Sequence, residues 1–126
     1  MAGSVIHEKS FLFALEVIEL FKCLQAEHEY VLSKQLLRSG TSIGANVEEA
    51  LAGQSRRDFL AKMAVASKEA RETRYWLVLL QKSNLTKTEL NQAIKSNEEL
   101  IRILTSIVKT TAENSATQNS KLKTQN

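Results

Sequence analysis

The chain of 126 residues has no proline and only four glycines, so it carries little of the chemistry that reverses a backbone sharply. Many short strands would need such residues at every turn, whereas a few long helices need them only at their ends. The single cysteine, Cys23, cannot close an internal disulfide, which points to a reducing compartment, the cytoplasm. As a small hydrophobe it is expected in the interior. Aromatics make up 6% of a composition that is 43% hydrophobic, so the core must be built from Leu, Ile, Val and Ala. Neither His7 nor His28 follows a glutamate by three, and the Glu-x-x-His pair of a di-iron bundle is therefore missing. No nucleophile elbow, glycine-rich phosphate loop or CxxC pair occurs either. The expectation is a non-enzyme with no metal and no cofactor. The N-terminus has acids inside its apolar part and no clean run suited to a signal peptide or a membrane span.

What the sequence does have is length of helix. From Ser55 to Lys82, Phe59, Met63, Ala66, Ala70, Thr73, Leu77 and Leu80 recur at steps of four and three, a coiled-coil-like seam on one face. Such a helix is about 42 Å long and must lie against equally long partners. The pattern predicts an all-α fold, an antiparallel up-down four-helix bundle over residues 1–113, followed by a disordered tail over 114–126 whose polar composition cannot offset the entropy of ordering.

Taken in order, helix 1 is expected from Glu8 or Lys9 to Gln25, with Phe11, Leu15, Ile18, Phe21 and Leu24 inward and Leu12, Val17 and Leu20 beside them. A short turn at Ala26–Glu29 leads to helix 2 near Tyr30, whose inner face is Leu36, Leu37, Ile43, Val47, Ala50 and Leu51. Ser39-Gly40-Thr41-Ser42 and Gly44 either break this helix by propensity or are small because a neighbour presses on them. Gly53 is expected as a left-handed stop. Ser55 and Asp58 form a capping box for helix 3, and Thr86 and Glu89 form a second for helix 4, with Leu85 and Leu90 as its hydrophobic staple. Helix 4 turns Leu90, Ile94, Ile101, Leu104 and Val108 inward, with Ala93, Leu100, Ile103 and Ile107 alongside.

The formal charge of +3 is unevenly spread. Residues 1–54 sum to −3, residues 55–83 to +4, residues 84–113 to zero and the tail to +2. This asymmetry suits head-to-tail association of identical chains as well as it suits a phosphate backbone. On helix 3, Arg57, Lys68, Arg71 and Lys82 fall within a strip about 60° wide opposite the apolar seam. The strip is either a track for phosphates or the solvated outside of a bundle helix. The run Tyr75-Trp76-Leu77-Val78-Leu79-Leu80 is apolar around the whole helix. Tyr75, Trp76, Val78 and Leu79 are therefore candidates for a subunit interface, unless Trp76 simply covers a bundle end.

RSGTSIGANVEEA (Arg38–Ala50) followed by QSRRDFLAKMAVASKEARETRYWLVLL (Gln54–Leu80) resembles the 23S rRNA-intervening-sequence protein family, over about residues 8 to 112. The motif residues are Ser42, Ile43, Ala45, Asn46 and Glu49, and then Phe59, Glu69 and Glu72. The resemblance implies a bacterial four-helix bundle assembled as a homopentamer, and together with the basic strip it gives the expectation of a non-enzymatic protein that binds RNA or a ribonucleoprotein through its helix-3 residues. A relative that serves diversity-generating retroelements binds nucleic acid and a reverse transcriptase through a basic surface. The alternative implied is therefore a protein-binding scaffold or reverse-transcriptase adaptor without a direct RNA role. Where many members have proline this chain has Gly44, so helix 2 is expected to be straighter or more flexible.

Overall fold

The computed structural model describes residues 2–124, with side chains described for residues 5–117. Four helices, α1 (Ala2–Ala26), α2 (Leu32–Ala52), α3 (Arg56–Lys82) and α4 (Asn91–Thr124), account for its regular structure. Each packs on its two neighbours around the bundle, α1 on α2 and α4, and α3 on α2 and α4. The fold is an all-α up-down four-helix bundle. The seam on α3 lies where its spacing puts it: Met63, Ala66, Ala70, Thr73, Leu77 and Leu80 are buried and Phe59 is half-buried.

The close-approach reading of the α2 glycines holds, and α2 runs unbroken through them. A Cβ built on Gly40 would lie 2.8 and 2.9 Å from the two γ-methyls of Val17, and one on Gly44 would lie 3.4 Å from the Ser10 carbonyl oxygen. The weak helix formers between them stay helical because their hydroxyls donate back along the helix. Thr41 donates to Leu37 at 2.7 Å and Ser42 to Arg38 at 2.6 Å, which satisfies them locally.

These glycines also decide how α1 is rotated, and here the expected face is corrected. The buried line is Ile6, Ser10, Phe13, Val17, Leu20 and Leu24, at steps of four, three, four, three and four. Phe11, Leu12 and Leu15, expected inside, are exposed, and Ile18 and Phe21 are half-buried. α1 is apolar around most of its circumference, so periodicity alone does not fix its inner side. What fixes it is fit: Val17 and the small Ser10 settle on Gly40 and Gly44, and the Ser10 hydroxyl is satisfied by the His7 carbonyl at 3.1 Å. Burial of Ile6 carries α1 back to Ala2, well before Glu8. Cys23 turns outward and is exposed, contrary to expectation.

α1 ends at the expected turn through a Schellman-type reversal. The Glu29 amide donates to the Leu24 carbonyl at 2.9 Å and the His28 amide to that of Gln25 at 3.0 Å. His28 takes the left-handed position at φ 65. The Glu29 carboxylate then accepts from the amides of Val31, Leu32 and Ser33 at 3.2, 2.9 and 2.7 Å, capping α2, which begins at Leu32 rather than Tyr30. Leu51, at the far end of α2, is exposed rather than inward. Gly53 follows in extended, not left-handed, geometry, with φ −63 and ψ 149. Ser55 caps α3 as expected, its Oγ accepting from the Asp58 amide at 3.0 Å.

The cap of α4 differs from the expected box. Thr86 and Thr88 donate through their hydroxyls to the Glu27 carboxylate, tying the α3–α4 loop to the end of α1. Glu89 instead accepts from the Asn91 amide at 2.7 Å, so the helix starts at Asn91. Leu90 is buried while Leu85 is exposed, and no staple forms. Inside α4 the buried line is Ala93, Asn97, Leu100 and Leu104, with Ile94, Ile101, Ile103, Ile107 and Val108 packed at its margins. Helical geometry continues past Glu113 to Thr124, but no described side chain after Leu104 is buried. The stretch expected as a disordered tail is thus helical to Thr124, and its described side chains, 114–117, are not buried.

Candidate nucleic-acid interface

Arg57, Lys68, Arg71 and Lys82 are all exposed along the outside of α3. Beside them α4 carries a second row that the sequence reading missed. Lys95, Arg102 and Lys109 are spaced by seven, which keeps them on one face within about 40°, and all three are exposed. The signal was present in that spacing but was hidden by a segment charge of zero.

The two rows belong to one surface because α3 and α4 are adjacent and antiparallel. Arg74 Nε donates to Glu98 at 3.2 Å and Gln81 Nε2 to Asn91 Oδ1 at 2.7 Å, which fixes their register. A shallow cleft between them is lined by Ala64, Ser67, Lys68, Arg71 and Val108. This places Lys109, next to Val108, at the Lys68–Arg71 end, and Lys95 towards the Lys82 end.

Pairing then separates the basic residues of the bundle. Lys9, Lys22, Arg38, Lys62 and Arg74 each form an ion pair. Arg57, Lys68, Arg71, Lys82, Lys95, Arg102 and Lys109 form none among the described residues, nor do Lys34, Arg56 and Lys87, but only the first seven share the α3–α4 face. Of the acids near this surface, Glu98 is engaged with Arg74 and Glu99 with Lys9 at 3.1 Å. The α3–α4 face thus carries an excess of basic side chains without ion pairs, whereas the acids of the first half lie on α1, α2 and their turn.

The motif residues gather elsewhere, along the α2–α3 seam. Arg38 reaches across to Glu69 at 3.3 Å and also bonds Glu72, and Trp76 Nε1 donates to Glu72 at 3.2 Å. Glu49 pairs with Lys62 at 2.8 Å. Asn46 Nδ2 donates to the Ser42 carbonyl at 2.8 Å, Ile43 is in the core, and Phe59 packs at its edge. Ala45 lines an outer α1–α2 groove. Beneath the ionic seam the Thr73 hydroxyl donates to Ser39 Oγ at 2.9 Å. The motif holds α2 to α3, and none of its charged members faces the basic surface without a partner.

The interface candidates on α3 divide. Trp76 packs against the core cluster, and Val78 and Leu79 are half-buried, so the bundle itself absorbs most of the apolar girdle. Tyr75 is 58% exposed. A larger unpartnered apolar surface appears on α1, where Phe11, Leu12 and Leu15 are 58%, 55% and 47% exposed. It continues across Ala14 to Thr41 and Ala45 of α2. Among the described residues no three or more of His, Cys, Asp and Glu come together as metal ligands, and no helix is long and apolar enough to cross a membrane.

The sequence pattern of the 23S rRNA-intervening sequence proteins matches residues 4–122. The chain belongs to that family. A protein of unknown function from the S23 ribosomal protein family of Bacteroides thetaiotaomicron, known from its crystal structure, is similar to it. That protein shares 44% identity over 86% of this chain and 99% of its own, with a TM-score of 0.81. No curated protein matches. In this member of the 23S rRNA-intervening sequence family, then, the motif residues serve the architecture and the exposed basic face is a separate feature.

Proposed function

We propose that this protein is a non-enzymatic, homo-oligomeric RNA-binding bundle of the cytoplasm. The observation that carries the reading is the set of exposed basic side chains on α3 and α4, Arg57, Lys68, Arg71, Lys82, Lys95, Arg102 and Lys109, left without ion pairs on one face. Two antiparallel rows of this kind flank a shallow cleft in which a sugar–phosphate backbone can run, each contact releasing a condensed counterion. Filter binding of the purified protein to 23S rRNA fragments tests it. Affinity should fall with salt at a log–log slope of roughly −3 to −5 if about five phosphates are contacted.

Oligomerisation is supported by the exposed α1 surface around Phe11, Leu12 and Leu15, with small residues of α2 beside it. An exposed apolar patch of this kind is what a subunit contact covers, and the acidic first half against the basic α3–α4 face lets copies of this chain attract each other in one sense. A pentamer, as the resemblance implies, has five times the 14.1 kDa chain mass in light scattering. The same α1 surface favours one second reading, a scaffold whose apolar face docks another protein, such as a reverse transcriptase, without a direct RNA role. Charge reversal on α3 and α4 separates the two: it abolishes RNA retention under the first and leaves the partner bound under the second.

A further inference from the structure

Tyr75 falls inside the basic strip of α3. At about 100° per residue it lies between Lys68 and Lys82 in direction and about 10 Å along the helix from each. The sequence reading treated it as part of an apolar girdle, but Trp76, Val78 and Leu79 lean into the bundle while Tyr75 stands out from it, 58% exposed. Its ring is braced from one side: the Trp76 indole meets it edge-on, with centroids 5.1 Å apart and planes at 73°. That indole is itself fixed by the core cluster and by its hydrogen bond to Glu72. A rigid, accessible aromatic ring flanked on one helix by cations is the arrangement on which nucleic-acid bases stack while phosphates meet the charges.

We infer that Tyr75 is a stacking platform for an unpaired base, and that the ligand of the basic face is therefore RNA with single-stranded segments rather than continuous duplex. This rests on the RNA-binding reading above. In an A-form duplex the bases are stacked on each other and out of reach, whereas loops and single strands can splay a base onto an aromatic side chain. Lys68, Arg71 and Lys82 hold the backbone on either side of that base, and the α4 row takes the strand as it crosses the cleft.

The test titrates the full-length protein and its Tyr75→Ala and Tyr75→Phe variants with unpaired oligouridylate and with a blunt RNA duplex of equal length. Wild type is expected to favour oligouridylate. Y75A should lose about five- to hundredfold affinity for it, Y75F should retain it, and duplex binding should not change. Trp76 is the chain's one tryptophan and touches Tyr75, so its emission should respond to oligouridylate in wild type and less in Y75A. Y75A binding oligouridylate as tightly as wild type would overturn the inference while leaving RNA binding intact. A Y75A variant of reduced oligomer mass would overturn it too, by making Tyr75 a subunit contact. Wild type retaining neither nucleic acid would remove the RNA-binding reading itself.

Discussion

Gly40 of α2 meets Val17 of α1 so closely that a Cβ on the glycine would come within 2.8 Å of a valine γ-methyl and 3.3 Å of the valine Cβ. Substitution Gly40→Ala gains about 1 kcal/mol of helix propensity but overpacks this contact, which costs about 1–3 kcal/mol. Val17 is β-branched and cannot rotate away, so the overpacking should win and the melting temperature should fall. In the double variant Gly40→Ala/Val17→Ala the clash is gone, and the alanine at position 40 should then stabilise relative to Val17→Ala alone. Thermal denaturation of the four proteins decides it; additive effects would rule out a direct contact.

The contact also shows what the sequence makes legible. The four helices, their order and the α3 seam follow from spacing, because α3 has only one face that is small and apolar. α1 has several, so its inner side was misjudged; the choice depends on the glycine surface of α2, a long-range fit that no local pattern encodes. The α3 basic strip could be seen, while the α4 row was concealed because Glu89, Glu98, Glu99 and Glu113 bring the segment's charge count to zero, although Glu98 and Glu99 are paired elsewhere. The Thr86 box failed because Glu27, distant in sequence, fixes Thr86 and Thr88 in the loop, where the Thr86 hydroxyl accepts from the Thr88 amide rather than from a helix amide.

Glu29 caps α2 and should make the fold acid-sensitive. Partial burial pushes its carboxyl up, but the amides of Leu32, Ser33 and Val31 together outweigh this and hold it below the ordinary carboxylate value. A depressed folded value means the stabilisation is present above the ordinary glutamate value and is lost as pH falls from there through the folded one. Glu29→Gln should cost about 0.5–2 kcal/mol at neutral pH and flatten the acid limb of the stability curve. Denaturant unfolding from pH 3 to 7 measures both, and an unchanged acid limb would show that Glu29 contributes nothing through its charge.

Arg38 bridges Glu69 and Glu72 across the α2–α3 seam but is half exposed. Arg38→Met should therefore change stability by less than about 1 kcal/mol, since the buried Thr73–Ser39 bond and the apolar seam remain. A larger loss in urea denaturation would mean the ionic seam, not the core beneath it, holds α2 to α3.

The α1 surface gives the subunit contact its own test. Phe11→Asp and Leu15→Glu place charge on residues that are already exposed in the single chain, so helix content should be unchanged by circular dichroism. Light scattering should show a shift towards the 14.1 kDa chain. Variants that keep the full oligomer mass would move the contact off α1.

The most direct measurement compares RNA retention by the double variants Arg102→Glu/Lys109→Glu on α4 and Lys22→Glu/Lys34→Glu on the α1–α2 side, each against wild type at about 50 mM salt, where phosphate contacts count most. Both carry the same change in charge. The expected result is that the α4 variant loses retention of 23S rRNA fragments and most of its salt dependence, while the α1–α2 variant changes little. Equal losses from both would mean that net charge, not a built face, attracts the RNA, and no retention by wild type would contradict the RNA-binding account altogether.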